Sequence, residues 1–115
     1  AGDHVVCTDD VYGGVSRHFD NILVRYNLEF TYVNTSEPEE VKTAIKSNTK
    51  LLWVETPTNP LLKVSDLEAM AKIAKEHDLI YGVDSTFATP VFLRPLEFGA
   101  DIVMHSTTKY ISGHN

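Results

Sequence analysis

The sequence predicts an α/β fold, a mostly parallel sheet with helices on both faces, and three observations carry that prediction. Apolar runs of strand length alternate with segments whose apolar residues recur at helical spacing. One run, Leu51-Leu52-Trp53-Val54, is apolar at every position, as a central parallel strand covered by helices must be. Polar residues follow the runs directly, where the carboxyl ends of parallel strands place ligand-binding groups.

His4-Val5-Val6-Cys7-Thr8 is the first predicted strand, closed by Asp9-Asp10 and a loop with paired glycines, Gly13-Gly14. Val15, Phe19, Ile22, Leu23 and Tyr26 recur at helical spacing and predict a helix from about Gly14 to Tyr26, ending near Asn27. Leu28, Phe30 and Tyr32 alternate with Glu29, Thr31 and Val33, which describes a strand with one wetter face near a sheet edge. Ser36-Glu37-Pro38-Glu39 reads as a capping box with Ser36 as N-cap and Pro38 early enough for its missing N–H to cost nothing. Val41, Ala44 and Ile45 form the apolar stripe of the helix it opens.

After the Trp53 strand and Glu55, Thr56-Pro57-Thr58-Asn59-Pro60 must be a stiff loop, because its prolines remove ladder donors. Ser65-Asp66-Leu67-Glu68 reads as a second capping box, opening a helix with Leu67, Met70, Ala71 and Ala74 on its apolar face and running to about His77. Leu79 to Val83 is the next strand, ending on Asp84 and followed by Ser85-Thr86-Phe87-Ala88-Thr89-Pro90. Pro95 to Gly99 predicts a helical turn with Gly99 as C-cap, and Asp101 to His105 a short buried strand.

A chain of 115 residues, 43% of them apolar, makes one ordinary domain able to bury about two thirds of its unfolded surface. A net charge of −6 with the ten Lys and Arg scattered argues against nucleic acid or an anionic membrane as partner. No apolar run approaches membrane-spanning length, and no charged-then-apolar signal opens the chain. The single cysteine, Cys7, excludes an internal disulfide and reads as a buried small hydrophobe, which fits a reducing, cytoplasmic setting. His4, His18, His77, His105 and His114 show no ligand spacing with each other or with Cys7, so no metal site is expected. The start at Ala1-Gly2 without methionine and the loop-like ending Gly113-His114-Asn115 read as those of a piece of something longer.

The chemistry is concentrated after the last strand. Ser106, Thr107 and Thr108 offer hydroxyls and N–H groups suited to a phosphate, and Lys109 stands beside them as a nucleophilic amine. Phosphate plus amine points to pyridoxal 5'-phosphate. The same residues also read as a turn followed by a solvated cation. The carboxyl-end rule places Tyr12, Glu55, Asn59, Asp84 and the Ser106–Lys109 segment on one rim. There Asp84 could keep a pyridine nitrogen protonated, Tyr12 could stack on the ring, Asn59 could donate to its phenolic oxygen, and Ser106 and Thr108 could hold the phosphate. Each also has a local reading: Asp84 as a turn former or N-cap, Tyr12 packed on its own loop, Asn59 as turn chemistry between prolines.

Asp10-Val11-Tyr12-Gly13-Gly14, Glu55-Thr56-Pro57-Thr58-Asn59-Pro60, Val83-Asp84-Ser85-Thr86-Phe87 and His105-Ser106-Thr107-Thr108-Lys109-Tyr110, in that order and spacing, resemble the Cys/Met-metabolism family of pyridoxal-phosphate enzymes. The resemblance covers essentially the whole chain. It implies part of the large domain of a fold-type I, aspartate aminotransferase-like enzyme, with residues 1–115 forming the middle of the cofactor-binding domain and both an N-terminal segment and a C-terminal domain missing. It implies Lys109 as the catalytic Schiff-base lysine, Asp84 as the pyridine-nitrogen partner, Tyr12 as the stacking ring with a catalytic part, and Ser106 and Thr108 as phosphate contacts. Thr86 would pack at the ring face and Asn59 near the ring oxygen. Ser85 departs from the asparagine common at its position.

The activity so implied is transsulfuration-type elimination or replacement at the γ (or β) carbon of a small amino-acid substrate, most like cystathionine γ-synthase and γ-lyase, toward which Arg17 leans. Methionine γ-lyase or O-acetylhomoserine sulfhydrylase chemistry is the alternative within the family, and a homotetramer built as a dimer of dimers is the implied assembly. The rival from another class is a non-catalytic nucleotide-binding or signalling domain on a similar sheet, disfavoured because no Gly-x-Gly-x-x-Gly or P-loop follows any strand.

Overall fold

The computed structural model describes residues Ala1–His114, so Asn115 in the loop-like ending lies outside the described residues. Five parallel strands, β1 (His4–Thr8), β2 (Glu29–Val33), β3 (Thr49–Glu55), β4 (Ile80–Asp84) and β5 (Ile102–Met104), lie in the order β2-β1-β3-β4-β5. Helices α1 (Gly13–Asn21), α2 (Pro38–Ala44), α3 (Leu67–Glu76) and the short α4 (Thr89–Phe92) occupy the crossovers. The chain leaves β1 toward one edge and returns across it to β3, so the strand order reverses between β1 and β3, at whose carboxyl ends ligands bind in such sheets.

The two faces of the sheet are unequally covered. Val6, Leu52, Val54, Tyr81 and Val83 alternate onto one face and pack with Val41, Met70 and Ile73 from α2 and α3, each side chain 2% exposed or less. Burial of such a side chain contributes about 1.5–3 kcal/mol, so this layer anchors the fold. The other face carries Phe30, Leu51, Trp53 and Met104 by the same period and receives only α1, through a Phe19–Phe30 stack at 4.5 Å and the Tyr32 hydroxyl donating to Asp20 at 2.8 Å. No residue of α1 is fully buried. Beyond α1 the Trp53 face lies open and becomes the wall of a cavity.

Strand β2 is the sheet edge that its alternation predicts. Strand β5 is shorter and wetter than the buried Asp101–His105 strand expected, because it is the other edge: Ile102 is exposed and Val103 and Met104 half-buried. Asp101 stays outside it and accepts the Tyr81 N–H at 2.8 Å, which sets the start of the β4–β5 ladder. The helix expected to Tyr26 stops at Asn21. A 3-10 turn at Leu23–Tyr26 follows, and Asn27 closes it in the left-handed region at φ 59°. Gly2 N–H to Asn27 C=O at 2.6 Å and Glu29 N–H to Asp3 C=O at 3.0 Å pull this segment down to the start of β1, and that tertiary demand overrides the helical period.

Neither capping box forms as expected. Glu37 is the residue before α2 and makes no side-chain cap; Ser36 instead donates its N–H to Asn34 Oδ1 at 3.2 Å, while Pro38 does take the first turn. Asp66 caps α3, accepting from Ala69 N–H at 3.0 Å, because the Ser65 hydroxyl is buried against Thr35 Oγ1 at 2.8 Å. On α3, Ile73 is buried where Ala71 was expected, with Leu67, Met70 and Ala74 as read. Gly99 caps the Pro95–Phe98 turn at φ 94° as predicted. No helix among the described residues is long and apolar enough to cross a membrane.

Candidate active site

Four strands deliver polar residues to one cavity of about 760 Å³ at their carboxyl ends, within the range of small-molecule sites. Its lining includes every residue singled out from the sequence: Tyr12, Asn59, Asp84, Thr86, Ser106, Thr108 and Lys109.

Two loops form one side. After β1, Asp10 Oδ2 accepts from the Thr58 hydroxyl at 2.5 Å and the Leu61 N–H at 2.8 Å, while Asp9 pairs with Lys63 at 3.0 Å. These contacts fasten the Pro57–Pro60 segment, in which the Thr56–Pro57 and Asn59–Pro60 bonds are cis, to the β1 loop and place Asn59 on the cavity wall. Tyr12 lies 49% exposed, its ring folded over Gly14 so closely that a Cβ there would sit 2.4 Å from a ring carbon. Glycine is required at that position by the approach of the ring.

Asp84 ends β4 and is 4% exposed. Its Oδ1 accepts from both the N–H (3.0 Å) and the hydroxyl (2.5 Å) of Thr86, and no hydrogen bond to Oδ2 occurs among the described residues. Thr86 Oγ1 in turn accepts the Ser106 N–H at 2.9 Å, linking the β4 loop to the β5 loop. Beyond β5, Ser106 Oγ and Thr108 Oγ1 stand 3.0 Å apart, and Lys109, exposed on a turn, donates its N–H to Ser106 C=O at 3.2 Å.

Glu55, given no role from the sequence, is the cavity's second buried acid. It is 5% exposed and lies opposite Asp84 in the β3–β4 register. Burial foremost, helped by the negative charges of Asp84 and Asp10, pushes its carboxyl up to about 7 against the opposing pull of the Tyr12 and Asn59 N–H groups. Its place at the end of an apolar strand was the available signal; its contacts lie too far away in sequence to be read. Trp53 was likewise read only as core. Its ring packs against Gly82, where a Cβ would be 2.7 Å away, and its Nε1 makes no hydrogen bond among the described residues.

An amine, two adjacent hydroxyls, a buried carboxylate with an oxygen to spare and an aromatic ring are the groups pyridoxal phosphate needs, and one cavity holds them all. The residues fit that cofactor. Among the described residues no cluster of three or more His, Cys, Asp and Glu is placed for a metal ion, and Cys7 is fully buried with its thiol shifted upward by burial.

The family model of Cys/Met metabolism PLP-dependent enzymes matches residues 1–115. The chain belongs to this family, whose cofactor is pyridoxal phosphate. It is 56% identical over its whole length to cystathionine gamma-lyase of Bacillus subtilis (strain 168), covering 30% of that protein. With a probable cystathionine gamma-synthase of Herpetosiphon aurantiacus the identity is 52%, again over the whole chain and 36% of the relative. The crystal structure of cystathionine gamma-lyase from Lactobacillus plantarum complexed with L-serine superposes with a TM-score of 0.97 at 46% identity, over 99% of this chain and 30% of that one. The chain thus spans about a third of the length of these curated relatives.

Proposed function

We propose that residues 1–115 are the central part of the cofactor-binding domain of a pyridoxal-phosphate enzyme of sulfur amino-acid metabolism, catalysing elimination or replacement at the γ (or β) carbon, most like cystathionine γ-synthase and γ-lyase. One observation carries this reading: Asp84, from the end of β4, and the Ser106–Thr108 hydroxyl pair with Lys109, from the loop after β5, line a single cavity at the carboxyl ends of the strands.

In this reading the cofactor, when bound, supplies an electron sink for charge developing on the substrate carbon. Lys109 Nζ would hold it covalently and would move protons at the substrate carbons. Ser106 and Thr108 donate their hydroxyls to the phosphate, and Asp84, aligned by Thr86, holds a proton on the pyridine nitrogen. Tyr12 covers the ring, and Asn59 faces its oxygen from the opposite loop. Thr86, expected at the ring face, also bonds Asp84 and Ser106 and so keeps carboxylate and phosphate site in register.

The substrate would be a small amino acid. A homo-oligomer, a dimer of dimers, is supported by family membership and by the apolar surface of α4, where Val91 and Phe92 are 79% and 86% exposed. A cytoplasmic setting is supported by the single, buried, unpaired Cys7. The test is borohydride reduction of the complete protein after loading with pyridoxal phosphate, followed by peptide mapping. Label on Lys109 is expected; label on Lys50 or Lys63 instead would overturn the assignment.

A further inference from the structure

Glu55 is a buried acid without a cation. No Lys or Arg nitrogen forms an ion pair with it among the described residues, although removing a carboxylate from water costs several kcal/mol unless it is paired or hydrogen-bonded. What it has instead is backbone. Its Oε2 accepts the Tyr12 N–H at 2.8 Å, across 43 positions of sequence, while the Asn59 N–H donates to Asp10 C=O at 3.3 Å and lies near enough to favour the carboxylate's charge. Its own N–H is fixed by donation to Thr8 Oγ1 at 3.1 Å on the neighbouring strand. One carboxylate at the end of β3 therefore holds the backbone of the Tyr12 loop, which the Asn59 loop also meets through Asp10.

We propose that Glu55 is a positioning residue, whose carboxylate ties the Tyr12 loop to the end of β3 and thereby fixes the Tyr12 ring over the cavity. The ring is set from two sides. Gly14 leaves room for it below, with space for no Cβ, and Glu55 pins the backbone from which it hangs. An acid suits the task better than its amide, because N–H groups face the carboxylate from both loops and a glutamine would turn its NH₂ toward one of them. The inference rests on the functional reading above only for what the ring covers; the tie itself is a property of the loops.

The test uses the complete protein and four substitutions: Glu55→Gln, Glu55→Ala, Tyr12→Ala and the Glu55→Gln/Tyr12→Ala double. Without cofactor, amide exchange at Tyr12 should quicken about tenfold or more in both Glu55 variants, while Val54 and Val83 stay protected. With cofactor, Glu55→Gln should weaken the dissociation constant about tenfold when Tyr12 is present and less than about twofold when it is alanine, since the benefit acts through the ring. Unchanged exchange at Tyr12, or equal weakening in both backgrounds, overturns the proposal. Glu55→Gln, matched in size, carries the test if Glu55→Ala fails to fold. A wild-type protein that takes up no cofactor would overturn the functional reading, and the exchange data would still decide on Glu55.

Discussion

His4 at the amino end of β1 and Glu55 at the carboxyl end of β3 are both buried titratable groups, and the protein treats them oppositely. His4 is fully buried, with Nδ1 2.7 Å from the Thr49 hydroxyl and Nε2 2.8 Å from the Thr31 hydroxyl. Both ring nitrogens meet neutral groups that can accept or donate, and burial, with Lys46 nearby, lowers its pKa so that it stays neutral. At the other end of the sheet Glu55 and Asp84 lie side by side, and neither forms an ion pair among the described residues. The amino end is solved for stability; the carboxyl end keeps charge that something else must answer. That division follows from topology, because a parallel sheet gathers its ligand-binding loops at the carboxyl end of the strands.

Breaking the carboxyl end should cost function most. Asp84→Asn in the complete protein is expected to keep its colour and lose turnover by about a hundredfold or more, since the change removes charge and leaves the attachment proposed for Lys109. Steady-state assay of 2-oxo acid release beside an absorbance spectrum checks both halves, and unaltered turnover would reduce Asp84 to a structural acid. Next in size, Ser106→Ala or Thr108→Val should each weaken cofactor affinity by about 1–3 kcal/mol, the cost of leaving a charged acceptor one bond short. Equilibrium dialysis with both affinities unchanged would remove the phosphate from this pair.

The two ends also carry opposite pH dependences. Glu55 holds its proton more tightly folded than at its ordinary value of 4.5, so its contribution is full below that pH and is lost as pH rises through about 7. Asp84 and Asp10 reinforce the shift, the Tyr12 and Asn59 amides oppose it, and Lys109 and His18 line the same cavity. Glu55→Gln should flatten the resulting decline, worth roughly 1–3 kcal/mol, in denaturation midpoints between about pH 5 and 8. His4 runs the other way: its folded pKa lies below 6.5, so its contribution is present above that pH and is lost as pH falls through the lowered value. His4→Gln should remove this acid-side loss and leave cofactor affinity unchanged, the smallest effect of the set. A change in affinity would mean that the two ends are coupled.

The strands, their parallel order and the rim they build were legible because period and residue type suffice for them. Leu51 to Val54 can only be central, and Tyr12, Asp84 and Lys109 each follow a run that must end where they stand. What escaped was decided by distant partners. Ser65 reads as a cap until Thr35, 30 positions away, takes its hydroxyl. The helix from Gly13 follows its apolar period until the start of β1 pulls the chain aside at Ile22. Glu55 reads as a strand terminator because the Tyr12 N–H that occupies it is contributed by another loop.

Trp53 gives the site one further property. It is the single tryptophan of the 115 residues, and its indole, seated on Gly82, forms part of the cavity wall. Light absorbed there is released within van der Waals reach of whatever fills the cavity. A bound chromophore that absorbs in the indole emission band would drain that emission by resonance transfer, so filling and emptying of the site can be followed optically without any label.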